Sequence, residues 1–265
     1  MDLPLSRAVA PHLDWLPRAG STNDVLVQSA DGRPDFSVVV TDEQTAGRGR
    51  LGRTWVAPAG RTLAISVLLR PPSEVERERW GLLPLMAGAA MRRTVEAVLP
   101  AHPVALKWPN DVLVGEKKVS GILGELLPDA RGLVLGAGLN VTLAADELPV
   151  PTATSLTLSG AAAADLGADG LLARYLDELG TLYRAWIAHG GDARASGLLD
   201  ELAATSATLG RAVRVELPGG SVRTGTARAI DDDARLVVDT DDGAPLVVAA
   251  GDVTHLRHSD GGIQR

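Results

Sequence analysis

Near residue 209 the chain changes its rhythm, and that break limits the possible folds more than any other feature. Beyond it, AVRVEL, SVRTGTARAI, RLVVDT, PLVVAA and DVTHLR are short runs separated by PGG, DDDA and DDG. Gly, Asp and Pro punctuate strands because they suit tight turns, so the pattern predicts five strands. Five strands within roughly fifty residues predict a small β-barrel. Before the break, FSVVV (36–40) and TLAISVLLR (62–70) read as buried-type strands, the second ended by Pro71 and Pro72. VALKWPNDVLV (104–114), KVSGILGELL (118–127) and GLVLGAGLNV (132–141) read as three more, with short connections. STNDVLVQSA (21–30) predicts a short helix with Ser21 or Thr22 as its N-cap. A long helix fits 76–99, although Pro84 sits awkwardly in it and marks a later start. Leu172, Tyr175, Leu176, Leu179, Leu182, Tyr183 and Trp186 recur at three- and four-residue spacing, which predicts an amphipathic helix over 169–189 packed on a sheet. The Ala/Gly stretch 160–170 reads as a loop.

With 265 residues the chain has room for one sizeable domain and a small one. Apolar residues at 45% and charged residues at 22% exclude wholesale disorder. A net charge of −7 argues against nucleic-acid binding driven by bulk charge. With no cysteine, disulfides, thiolate-ligated metals and thioester chemistry are excluded. The five histidines are scattered without ligand spacing, so no metal site built by the protein is expected. The first twenty residues lack the basic start and apolar run of a signal peptide. No uncharged apolar run reaches the roughly eighteen residues that a membrane helix needs. A cytoplasmic protein with no membrane partner is therefore the expectation.

The segment DEQTAGRGRLGRTW (42–55) matches two phosphate-binding patterns. Gly47-x-Gly49-x-x-Gly52 fits the dinucleotide fingerprint, and 47–54 fits a P-loop with Arg53 in place of Lys. Both need a helix immediately afterwards, and Thr54, Trp55, Val56 and Pro58 do not start one. What remains is a flexible loop with three glycines and three arginines (Arg48, Arg50, Arg53) in seven residues. Glycines let backbone N–H groups approach an anion, and guanidinium forks bind its oxygens in pairs. Like charges this dense repel, so the loop should stay mobile until an anion arrives. A solvated basic turn is the plainer alternative.

A second cluster, Lys107-Trp108-Pro109-Asn110-Asp111, closes a strand where Pro109 stops the ladder, so that Lys107 can reach a cleft. Gly121-Ile122-Leu123 and Gly136-Ala137-Gly138-Leu139-Asn140 break strands with glycines, which suits close approach of a ligand. Singly, each could be an edge lysine, a bulge glycine or a turn asparagine. In this order, with Ser21-Thr22-Asn23 and Gln44-Thr45-Ala46-Gly47-Arg48-Gly49-Arg50 ahead of them, they resemble the biotin protein ligase family, over about residues 21–257.

The resemblance implies an α+β fold. A mixed sheet with flanking helices, related to class II aminoacyl-tRNA synthetases, would occupy 1–208, an SH3-like barrel 209–258 and a tail 259–265. It implies formation of biotinyl-5′-AMP from biotin and MgATP, then transfer of biotin to a lysine of the carrier domain of acetyl-CoA or another acyl-CoA carboxylase. Ser21, Thr22, Asn23, Gln44 and the Gly121 backbone would contact biotin. Lys107, Arg48 and Arg50 would be catalytic, and with Gly49 would touch both biotin and adenylate. Lys107 would bridge the biotin carboxylate and the α-phosphate. Arg53, Trp55, Asn110, Gly138 and Asn140 would complete the nucleotide site, with Asn140 at the adenine. Magnesium would ride on the ATP phosphates. Asp111 could orient the acceptor amine or simply cap the turn after Pro109. Only twenty residues precede the Ser-Thr-Asn motif, too few for a DNA-reading helix-turn-helix, so the ligase-only type without DNA binding is expected. No tryptophan follows Asn140 in VTLAADELPVPTATSL, where some members place an aromatic near the adenine. The competing reading within the superfamily is a lipoate or octanoate ligase or transferase.

Overall fold

The structure, a computed structural model, describes residues 1–217, 220–241, 243–249 and 252–255. In chain order it forms α1 (Pro4–Val9), β1 (Leu13–Trp15), α2 (Thr22–Gln28), β2 (Val38–Thr41), β3 (Gln44–Arg48), β4 (Thr54–Ala57) and β5 (Thr62–Leu69). Then come α3 (Leu83–Val98), β6 (Val104–Lys107), β7 (Asp111–Val114), β8 (Lys117–Leu126), β9 (Leu133–Asn140), α4 (Ala168–Ala188) and α5 (Leu198–Ala204). The last strands are β10 (Ala212–Glu216), β11 (Val222–Ile230), β12 (Leu236–Thr240), β13 (Pro245–Val248) and β14 (Asp252–His255).

Seven strands form one sheet in the order β1-β2-β5-β9-β8-β7-β6, parallel only between β1 and β2. The sheet is therefore mixed. Period-two alternation on its central strands assigns the two faces. Leu63, Ile65, Val67 and Leu69 of β5, with Leu133, Leu135, Ala137 and Leu139 of β9, join the main core shared with α3 and α4. The opposite face carries Leu68 and Val134 under α2, packed with Leu26 and Val39. Farther along that face stand the small or polar residues Ala64, Ser66, Gly136, Gly138 and Asn140. The sheet is thus covered by helices on one side and open over its glycine-rich part on the other.

Several sequence expectations change. The run 104–114 is not one strand but the hairpin β6–β7, because Pro109 cannot donate to a ladder; its Trp108–Pro109 peptide is cis. The helix expected over 76–99 is a 3-10 turn, Arg77–Leu82, followed by α3, with Pro84 in the first turn where its missing N–H is harmless. The arginine segment is not a loop throughout. β3 and β4 pair antiparallel, with Gly47 opposite Trp55 and Arg48 opposite Thr54, leaving only 49–53 as the tip. Of the expected loop 160–170, residues 163–165 form a 3-10 turn, and α4 begins at Ala168.

The last five strands form one antiparallel sheet in the order β13-β12-β11-β10-β14, bulged between Ala227 and Ala229. Among the described residues β13 and β14 are not paired, so the sheet is open there. Residues 256–258 of the expected barrel and the tail 259–265 lie outside the described residues. Val213, Val215, Leu236, Val238 and Val253 join the same core as the seven-stranded sheet. Residues 205–207 tie the two sheets: Leu106 N–H donates to Thr205 O at 2.9 Å, and Ala207 N–H to Leu106 O at 2.6 Å.

Candidate active site

On the uncovered face lies a cavity of about 410 Å³. Its floor exists because β8 and β9 place glycines side by side, Gly121 opposite Gly138 and Leu123 opposite Gly136. A Cβ at Gly136 would collide with the Asn23 amide, and one at Gly138 with the Trp55 indole. At Gly121 a Cβ would stand 2.9 Å from the Lys118 ammonium and 3.5 Å from the Trp55 ring.

One end of the cavity is a buried polar cluster. Ser21 caps α2, its hydroxyl accepting the Asp24 N–H at 3.4 Å. Gln44 Oε1 accepts the Thr22 N–H at 2.9 Å and stands 3.2 Å from Thr22 Oγ1. Asn23 Nδ2 meets two acceptors, Glu125 Oε2 at 2.6 Å and Leu123 O at 3.4 Å. That orients its Oδ1 to accept the fully buried Ser66 hydroxyl at 2.6 Å, with Thr22 Oγ1 2.8 Å from the same Ser66 oxygen. Ser21, Thr22, Asn23 and Gln44, predicted from separate motifs, therefore meet in one place.

The middle is cationic. Trp55 reaches from β4 across Gly138 and Gly121, with its indole Nε1 buried and without a protein partner. Lys118 Nζ lies 5.8 Å from the centroid of that ring and 2.6 Å from Asp111 Oδ1. The Lys118–Asp111 contact is short but bent away from hydrogen-bond geometry, and acts as an ion pair. Lys107 ends β6 opposite Asp111 and also borders the cavity. The sequence reading puts the positive charge on Lys107 and the arginine segment; the structure adds Lys118, only three residues before Gly121 on the same strand. Asp111 is engaged with Lys118 and makes no described cap on the Pro109 turn.

At the far end Asn140 Nδ2 donates to Thr154 O at 2.9 Å, and Pro149, Val150, Thr152 and Ala153 form the wall. The ribbon tip bends back to the β6–β7 turn, where Arg50 Nη1 lies 3.4 Å from Asn110 Oδ1. Asn110 is itself fixed to β8, its Nδ2 donating to Ile122 O at 2.9 Å and its carbonyl accepting the Ile122 N–H at 2.8 Å. Gly49 and Arg53 border the cavity from the same tip, and Gly49 N–H donates to Arg53 O at 2.7 Å. Arg48 differs from the expectation of a cation awaiting an anion. Its guanidinium already pairs with Asp24 and with Glu125, the latter at 2.8 Å.

The second sheet holds the wall from behind. Trp108 Nε1 donates to Ala234 O at 2.9 Å, and Trp108 N–H to Thr208 Oγ1 at 3.1 Å. Thr208 Oγ1 lies 3.1 Å from His255 Nε2. Burial, helped by the nearby charges of Lys107 and Arg211, pushes the His255 imidazole down to about 4. It is therefore neutral at pH 7 and can accept the Thr208 proton. Val253 of β14 borders the cavity itself.

Residues 15–140 match the biotin/lipoate A/B protein ligase family, and 208–256 match the biotin protein ligase C-terminal domain. The biotin--[acetyl-CoA-carboxylase] ligase of Mycobacterium tuberculosis (strain ATCC 25618 / H37Rv) is 43% identical over 249 residues, 92% of this chain and 89% of that one. Among solved structures, a biotin protein ligase from Aquifex aeolicus in complex with biotin and ATP superposes with a TM-score of 0.75 at 28% identity, covering 93% of this chain and 99% of that one. A biotin protein ligase from Leishmania major in complex with biotinyl-5-AMP gives a TM-score of 0.58 at 27% identity, covering 91% and 99%.

Proposed function

The chain belongs to the biotin protein ligase family, and from that membership we propose the course of its reaction. It joins biotin to ATP as biotinyl-5′-AMP with release of pyrophosphate, then passes the biotinyl group to a lysine of a carboxylase carrier domain. The observation that carries this reading is the convergence of segments from residue 21 to residue 140 on one cavity, polar and buried at one end, cationic in the middle.

The buried cluster suits the ureido ring, which offers two N–H donors and a carbonyl acceptor to Ser21, Thr22, Asn23 and Gln44. A dithiolane ring has neither, so the lipoate alternative would gain no hydrogen bond from those groups. Beside that ring, the Gly121 backbone is bare of any side chain. The substrate carboxylate then reaches the middle of the cavity, where an anionic carboxylate must meet an anionic α-phosphate. Lys118 and Lys107 supply positive charge there, as positioned electrostatic stabilisation of the transferring phosphoryl centre. Asp111 holds Lys118 in place. Trp55 over Gly138 forms the partition between acyl and nucleotide halves, with Asn140 and Asn110 on the nucleotide side. Gly49, Arg50 and Arg53 cover the adenylate and keep water from it. Displacement of AMP by the acceptor amine needs no cysteine or serine nucleophile. In this reading magnesium enters on the ATP phosphates.

Residues 1–208 are the catalytic unit in this reading and 209–258 an SH3-like barrel, closed where edge strands β13 and β14 would meet. The family match over 208–256 supports a separate C-terminal unit there. Among the described residues no helix is long and apolar enough to cross a membrane; the reading assigns the reaction to the cytoplasm, where ATP and the carrier domain would be met. The direct test is incubation with biotin, MgATP and an acetyl-CoA carboxylase carrier domain. The acceptor should gain one biotinyl group by mass, and a gain with lipoate but not with biotin would overturn the reading.

A further inference from the structure

Glu125 lies outside the main cavity yet binds groups on two sides of its wall. On β8 it stands opposite Val134, which places it on the α2 face of the sheet. Its carboxylate takes the Arg48 guanidinium as a fork, with Oε1 2.8 Å from Nη1 and Oε2 3.0 Å from Nη2. The same Oε2 accepts from Asn23 Nδ2 at 2.6 Å. Asp24 meets Arg48 from the more exposed side. A continuous polar chain therefore runs from the base of the β3–β4 ribbon through Glu125, Asn23 and Ser66 to Thr22 and Gln44.

Two carboxylates already occupy the Arg48 fork, and turning it to a phosphate would strand Glu125, whose side chain is 23% exposed. We infer that Glu125 is a positioning residue of the ligase: it pins Arg48 at the ribbon base and Asn23 in the buried pocket. The tip bearing Arg50 and Arg53 then closes in register with the bound acyl group. Isolated surface ion pairs contribute little, but a bidentate pair sharing a second hydrogen bond is a stronger case. Arg48 is in this assignment a structural pin, and the phosphate is met by groups deeper in the cavity.

The inference rests on the ligase reading, so its test includes an arm without ligand. In ligand-free protein, Glu125→Gln should speed tryptic cleavage within 48–53, mapped by mass, by about tenfold, the equivalent of one charge-assisted bond. With biotin and MgATP, escape of biotinyl-5′-AMP should quicken by about tenfold while its formation rate at saturation changes less than about threefold. Glu125→Asp should recover part of the retention. The double variant E125Q/R48Q should lose no more than either single variant, because the two residues act as one unit. Asp24→Asn, at the exposed side, should change retention less than about twofold. Wild-type cleavage and retention in Glu125→Gln, or additive losses in the double variant, would overturn the assignment. The proteolysis arm judges the pin even if no adenylate forms.

Discussion

Lys118 and Lys107 reach the same cavity from neighbouring strands but are held differently. Lys118 is steered by Asp111 at 2.6 Å and lies beside the Trp55 ring, at the bare backbone of Gly121. Lys107 stands at the strand end near His255. Lys118→Ala should cut the rate of adenylate formation on the order of a hundred- to a thousandfold, the usual cost of one positioned electrostatic group, and Lys107→Ala should cut it too. Lys107→Ala should keep the wild-type melting temperature, whereas Lys118→Ala should lower it slightly because Asp111 on the neighbouring strand loses its partner. Pyrophosphate release at the wild-type rate in either variant would remove that lysine from the chemistry. Lys107 was legible because it opens a recognisable motif. Lys118 was not, because its importance comes from the register that sets β8 against β9 and brings Trp55 over Gly121. Glu125 and Arg48 were equally hidden as a pair, since 77 positions separate them along the chain.

At the scale of elements, the polar seam between helices matters most for holding the rear wall. Arg93 of α3 forks onto Glu201 of α5 at 2.8 and 2.6 Å and donates to Glu178 of α4 at 2.8 Å. These carboxylates push the Arg93 pKa further up from its ordinary value. Because α5 leads directly into residues 205–208, the seam also fixes the stretch that pairs with β6. Arg93→Met should destabilise the fold by about 2 kcal/mol, mostly the cost of leaving Glu178 without this donor and half-buried Glu201 with only the 3.7 Å contact of Arg92, read by urea unfolding. A change under about 0.5 kcal/mol would show the seam to be solvated and inert. The strands and long helices could be read from periodicity, but α1, β1 and α5 could not. β1 has only three residues, and α1 and α5, six and seven long, lack the side-chain cap that marks the equally short α2. The ribbon was also misread as a loop, because its pairing of Gly47 with Trp55 leaves no alternation in the sequence.

For the whole molecule, the docking of the second sheet is the feature most open to a pH test. His255 titrates at 6.5 when unperturbed and is pushed down to about 4 by burial, with Lys107 and Arg211 adding to the shift and Glu116 opposing it. Above 6.5 it is neutral in both folded and unfolded chains and favours neither. Between 6.5 and about 4 only the unfolded chain takes up the proton, so its share of stability is lost as pH falls through that window. Urea unfolding at pH 7 and pH 4.5 should show a larger loss in the wild type than in His255→Gln, and equal losses would mean the site is solvated. What the sequence by itself determined was local: the glycines at alternate positions of β9, the capped α2, the motifs that line the cavity, and hence the family. Only the tertiary structure decided which charges meet. It set Asp111 on Lys118, Glu125 on Arg48 and Asn23, and the carbonyl of Ala234 on Trp108. Such pairs depend on strand register and the docking of two sheets, which arise from summed packing over the whole core and leave no trace in the spacing of residues along the chain.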